Sequence, residues 1–179
     1  PKDIVTPKAI AVAKTAKPEV TAAIVNMLGR VADPAALPFV TEALGNADPT
    51  VRQAAAQSIT AFGVDNGVKA LVAKLAAATE KADIDALKYA LSWQQSDAFA
   101  ATAAAAIPQA TKQGKIALAE VLASRKAVAQ SAPVFDMLAG DADEAKAALK
   151  ALEVLAVPAD TQKVLDFMLK TESASLRKG

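Results

Sequence analysis

Residues 37–56 run Leu37-Pro38-Phe39-Val40-Thr41-Glu42-Ala43-Leu44, then Gly45-Asn46-Ala47, then Asp48-Pro49-Thr50-Val51-Arg52-Gln53-Ala54-Ala55-Ala56. The stretch spells a helix, a short turn and a second helix. Asp48 is a natural N-cap, because its carboxylate accepts from backbone N–H groups that have no partner inside the helix. Pro49 falls at the first helical position, where its missing N–H costs nothing. Val51, Ala54, Ala55, Ser58, Ile59 and Phe62 then recur at helical spacing and predict one buried stripe.

The pattern repeats outward in both directions. The apolar residue closing the first helix of each pair falls at Leu44, Leu75, Ile107, Leu138 and Leu169, at spacings of 31, 32, 31 and 31 residues. Pro7 and Pro38 lie 31 apart, and Pro133 follows 95 residues later, about three periods. Helix starts keep the same rhythm at Asp33-Pro34, Asp65, Asp97 and Asp160. Second helices are predicted over roughly 18–31, 49–62, 82–94, 115–127 and 143–156. The implied division is 1–31, 32–63, 64–95, 96–127 and 128–157, with a partial unit over 158–179. Ser175-Leu176-Arg177-Lys178 aligns on Thr50-Val51-Arg52-Gln53, so a further second helix is expected to begin there, as in a piece of a longer array.

Composition agrees with an all-α fold. There are 46 alanines against one Trp, one Tyr and five Phe, and 53% of the chain is hydrophobic. Alanine is the best helix former and lets helix backbones approach closely, whereas the aromatic residues that strands favour are sparse.

Asp-Pro, a free position, Val-Arg and an alanine run, as in Asp48 to Ala56, resembles the start of the second helix in bacterial-type short HEAT repeats. Pro38 and Pro133 sit where the first helix of such a repeat is bent. The resemblance implies a right-handed α-α superhelix of about five helix pairs, a HEAT-like solenoid related to armadillo arrays. It is weakest around 82–112, where Ser92 and Trp93 replace small or aliphatic residues. It further implies that second helices line a concave surface where partners dock. An arginine at the position of Arg52 commonly joins an aspartate of a neighbouring repeat, so Asp33 or Asp83 is the expected partner. Thr21, Asp85 and Lys146 interrupt that ladder in the other repeats.

Twenty basic against nineteen acidic side chains, a net charge of +1, argue against nucleic acid as the main ligand. No apolar run approaches the length of a membrane span, so no membrane insertion is expected. With no Cys and no His, thiol nucleophiles, His-based triads and zinc sites built on those residues are excluded. Gly63 and Gly67 lack the Lys-Ser/Thr that a phosphate loop requires. Gly114 suggests a break between two helices. The acids fall mostly at helix starts (Asp33, Asp48, Asp65, Asp97, Asp143, Asp160) and are expected to cap. Asp141, Asp143 and Glu144 lack the spacing of a calcium loop and suggest a solvated turn with an N-cap.

Tyr89 and Trp93 lie four apart, on one face of the third second-helix. Aromatic residues with a polar tip are enriched at binding hot spots, and Gln94 adds hydrogen-bonding capacity; the alternative is that Trp93 fills volume between repeats. Trp93, Tyr89, Gln94 and Arg52 are therefore the candidate partner-binding residues. The expected function is a non-catalytic scaffold that needs no cofactor and holds a protein or peptide, with other domains of the same parent chain as further partners. A spacer domain of a larger, possibly secreted, enzyme is the alternative. A tetrapyrrole lyase-like activity, known among HEAT-like proteins, is a remote third.

Overall fold

The computed structural model describes residues 2–63, 67–92 and 97–170. Among them are eleven α-helices, α1 (Lys2–Ala13), α2 (Pro18–Val31), α3 (Leu37–Ala43), α4 (Pro49–Ser58), α5 (Lys69–Ala77), α6 (Lys81–Ser92), α7 (Asp97–Ala106), α8 (Lys112–Ser124), α9 (Ala132–Asp136), α10 (Ala142–Leu155) and α11 (Thr161–Lys170). They stack as five pairs, α1/α2 to α9/α10, with α11 beyond the fifth, in an all-α HEAT-like solenoid.

Local chemistry accounts for the element ends. Asp48 accepts from the Thr50 N–H at 2.8 Å and Asp33 from the Ala35 N–H at 3.1 Å. α2 closes on Ala32, in the left-handed region at φ 48°, whose N–H is given to the Leu28 carbonyl. Two first helices begin with a 3₁₀ turn and a proline, whereas Pro7 lies inside an unbroken α1. A 3₁₀ turn at Pro34–Ala36 precedes α3, with Pro38 in the first turn, and another at Val128–Gln130 precedes α9, with Pro133 likewise placed.

The core is one continuous cluster running through the pairs, from Ala22, Val25 and Leu28 to Leu152 and Leu155. Phe99, Leu28, Ile59, Leu71, Leu75 and Leu118 are fully buried in it, and each such side chain stabilises the fold by about 2 kcal/mol. No single pair encloses its own apolar stripe, so stacking completes the core. Successive second helices meet along the stack, most extensively α2 with α4 and α8 with α10, and this row forms one face of the molecule.

Two local expectations are corrected. Gly114 does not separate helices: it lies buried in the first turn of α8, whose start at Lys112 precedes the expected one by three residues. A Cβ there would lie 2.3 Å from the Ala76 carbonyl oxygen, so the glycine serves close packing of α8 on the end of α5. Thr111 finishes that junction, donating to the Ala78 carbonyl and accepting from the Gly114 N–H. Likewise Asp143 is not the cap of α10. Asp141 takes the N–H groups of Asp143 and Glu144 at 3.0 and 3.1 Å, leaving Asp143 to bind Lys112. A run of three acids in four positions offers several possible caps, and the chain enters the helix at the first.

Candidate functional site

Among the described residues, three neighbouring hollows on the face formed by the second helices share walls. Between α2 and α4 lies one of about 720 Å³, lined by Ala23, Asn26, Gly29, Arg30, Gln57 and Ser58 among others. Between α4 and α6 lies a smaller one of about 350 Å³, with Arg52, Gln53 and Gln57 on one wall and Asp83, Ala86 and Tyr89 on the other. Across α6, α8 and α10 runs a third of about 690 Å³, bounded by Lys88, Tyr89, Glu120, Val121, Lys150 and Val154. Gln57 belongs to the first and second, and Tyr89 to the second and third. The hollows therefore form one track along α2, α4, α6, α8 and α10.

Tyr89 stands at the centre of the track and is 53% exposed, although most large apolar side chains of the second helices are buried. Val154, 43% exposed, offers apolar surface at the far end of the third hollow. An amphipathic ring between two grooves supplies contact area at little entropic cost, because only two torsions need be held. Trp93 and Gln94 lie outside the described residues.

Arg52 is engaged within the fold. Its Nε donates to Asp83 Oδ1 at 2.5 Å, and its Nη1 donates to the carbonyls of Asn46 and Ala47, both at 2.8 Å. One guanidinium thus ties α4 to α6 and holds the turn between α3 and α4. Of the two expected partners the structure selects Asp83, 31 residues on. Asp33 instead accepts from the Thr6 hydroxyl at 2.6 Å.

The arginine ladder does not continue at the equivalent positions, where Thr21 donates to the Ala13 carbonyl and Asp85 pairs with Lys81 of its own helix. Lysine pairs at other positions of the repeat also join neighbours. Lys88 pairs with Glu120, 32 residues on, and Lys112 with Asp143, 31 residues on. In all three pairs, opposite charges occupy equivalent positions of successive repeats, so the period of the stack brings them together. Lys115 adds a longer contact to the nearly buried Glu144 at 3.4 Å. The acids Asp141 and Asp143 hold the Lys112 ammonium by hydrogen bonds, which raises its pKa. Asp141 is held below the ordinary carboxylate value first by the Glu144 N–H and then by Lys112. The Lys88–Glu120 and Lys112–Asp143 pairs are half-exposed, and each contributes little to stability alone.

Sequence reasoning singled out Tyr89 but not Gln57, Glu120 or Val154, which line the same hollows. A signal existed for the first two. Gln57, Lys88 and Glu120 recur at spacings of 31 and 32, one position before Ser58, Tyr89 and Val121, so one register of the repeat lines the whole track.

Stacked helix pairs with a shared core and a grooved face of second helices define an α-solenoid repeat protein. A family model described as HEAT repeats matches residues 6–93, which reach from within α1 to just past α6. The matched residues are HEAT-like repeats and the fold is a HEAT-like solenoid; such repeats generally act as protein-interaction or scaffold modules and are typically non-catalytic. No curated protein matches it. None of its described helices is long and apolar enough to cross a membrane.

Proposed function

We propose that this array is a scaffold that holds an extended segment of a partner protein along the second-helix face, concave in HEAT arrays, with Tyr89 as the central anchor. The observation that carries the reading is the position of Tyr89: a large, exposed aromatic forming a wall common to two hollows. Hot-spot residues are enriched in Tyr and sit centrally in such patches. Arg52 takes a supporting part, since it holds α4 and α6 at the spacing that shapes the middle hollow. The neighbouring cations and acids pair across helices, which leaves a groove of mixed polarity suited to polypeptide.

A photo-cross-linking amino acid in place of Tyr89, tested in extract from the source cells, checks this. Discrete cross-linked products are expected at Tyr89 and not at Lys8, an exposed position on the first-helix side. Equal yields at both positions would sink the assignment.

A second reading, a spacer joined to further domains, is supported by the ends of the stack. Ile4, Val5 and Val12 on α1 and Leu165 and Leu169 on α11 expose apolar surface, Leu169 to 79%. Neighbouring structure covers such flanks in solenoids. The two readings are compatible, because the end flanks and the second-helix face are different surfaces.

A further inference from the structure

Charge is distributed unevenly along the track. In the third hollow the cations Lys88 and Lys150 are matched by Glu120 and Glu153, and Lys88 and Glu120 are joined directly. In the middle hollow Arg52 is neutralised by Asp83, while Asp85 is held by Lys81. The hollow between α2 and α4 differs. Its lining holds one charged group, the Arg30 guanidinium, and no acid.

Arg30 is exposed and forms no ion pair among the described residues. Asp33, the nearest acid in sequence, is occupied by the Thr6 hydroxyl and the Ala35 N–H. Around Arg30 the groove presents the carboxamides of Asn26 and Gln57. Ser58 donates to Asn26 Oδ1 at 3.3 Å, so the two N–H groups of that carboxamide remain for a ligand. Gly29 and Ala32, with almost no side chain, leave the hollow unfilled. An arginine fork flanked by amide donors, with no carboxylate of its own, is complementary to a carboxylate.

We infer that the α2/α4 hollow is the acid-recognising subsite of the track, taking an Asp or Glu side chain of the bound segment. This rests on the groove-binding reading above and adds polarity to it. The segment lies with its acidic residue over Arg30 and an apolar or aromatic residue beside Tyr89 and Val154. A side chain is the source rather than a chain end, because the hollow adjoins the next one at Gln57, so a ligand backbone lying along the track passes on.

The test pans a random peptide library displayed on phage against the full chain. The leading peptide is then resynthesised with its acidic residue as Glu or Gln, and with its C-terminus free or amidated. Enriched peptides should carry Asp or Glu at a fixed offset from an apolar or aromatic residue. The Glu-to-Gln change should weaken binding to the unaltered protein about 5- to 10-fold, with the loss shrinking at high salt. On Arg30→Gln that difference should vanish, and Arg30→Lys should restore part of it. Arg30 also lies in the last turn of α2, where any cation favours the helix end. If that is its whole role, Arg30→Gln shifts the thermal midpoint but leaves the Glu-over-Gln preference intact, and the inference is overturned. A loss on amidating the C-terminus, or enriched peptides without acid, also overturns it while leaving groove binding in place. Failure to enrich any peptide sensitive to Tyr89→Ala removes the groove reading and this inference together.

Discussion

Ser58 and Tyr89 occupy the same position in neighbouring repeats, 31 residues apart, yet their surroundings are opposite. Ser58 is buried against α2, and a Cβ on Gly29 would fall 2.4 Å from its own Cβ. Two small residues let α2 and α4 approach until their backbones nearly touch, and this is the most extensive helix contact in the stack. At the equivalent place α6 carries a tyrosine, which stands half out of the surface between two hollows. The repeat dictates where a second helix lies. The side chain at one register then decides whether that position lies low between close helices, as Ser58 does on the floor of its hollow, or stands up as a wall between two hollows, as Tyr89 does.

The comparison can be broken most sharply at Gly29. Gly29→Ala forces a methyl group against a side chain anchored at its own Cβ, and overpacking of this kind costs about 1–3 kcal/mol. Urea unfolding should place it near the upper end, with Ser58→Tyr at least as damaging. Tyr89→Ser should stay within about 0.5 kcal/mol, as exposed substitutions do. Equal costs at positions 58 and 89 would show that the two junctions do not differ in closeness.

Gly114 extends the contrast to the α5/α8 junction. Gly114→Ala directs a methyl at the Ala76 carbonyl, which is backbone and cannot turn aside, so a loss of about 1–3 kcal/mol is expected in the same assay. A neutral result would mean that α8 can shift off α5 at little cost.

The ladder yields smaller effects. Arg52→Gln removes an ion pair and two bonds to carbonyls, and about 1–2 kcal/mol should be lost. Lys88→Gln, which breaks a more exposed pair alone, should cost under about 1 kcal/mol. Reversal of that order would make the lysine pairs the stronger ties.

The smallest effect concerns pH. The Asp141 pKa is lowered in the folded state, so its stabilisation is present above the ordinary value of 3.8 and disappears as pH falls through the lowered one. Asp141→Asn should therefore be less stable than the unaltered chain at pH 7, and the gap between their urea midpoints should close in acid. A gap constant with pH would assign the capping to something other than the carboxylate.

Much of this architecture is written locally. Asp48-Pro49, the alanine-rich stripes and the recurring Leu44, Leu75, Ile107 and Leu138 prescribe helix starts, buried faces and period without reference to distant residues. That is why the helical layout and the repeat family were legible from the chain itself. The partner of Arg52 was half legible, because a fixed period limits the acids that can reach it.

What the sequence could not determine lies at junctions between repeats. Glycine marks equally a break or a close approach, and only the Ala76 carbonyl over Gly114 shows which applies. The lysine pairs between repeats are invisible until stacking sets Lys112 beside Asp143 and Lys88 beside Glu120. The track joined at Gln57 and Tyr89 is likewise a property of the stack. Helix formation depends on neighbours within a few residues, and those are written in order along the chain. Groove shape and charge balance depend on residues about 31 positions apart, and their relation exists only once the helices have packed.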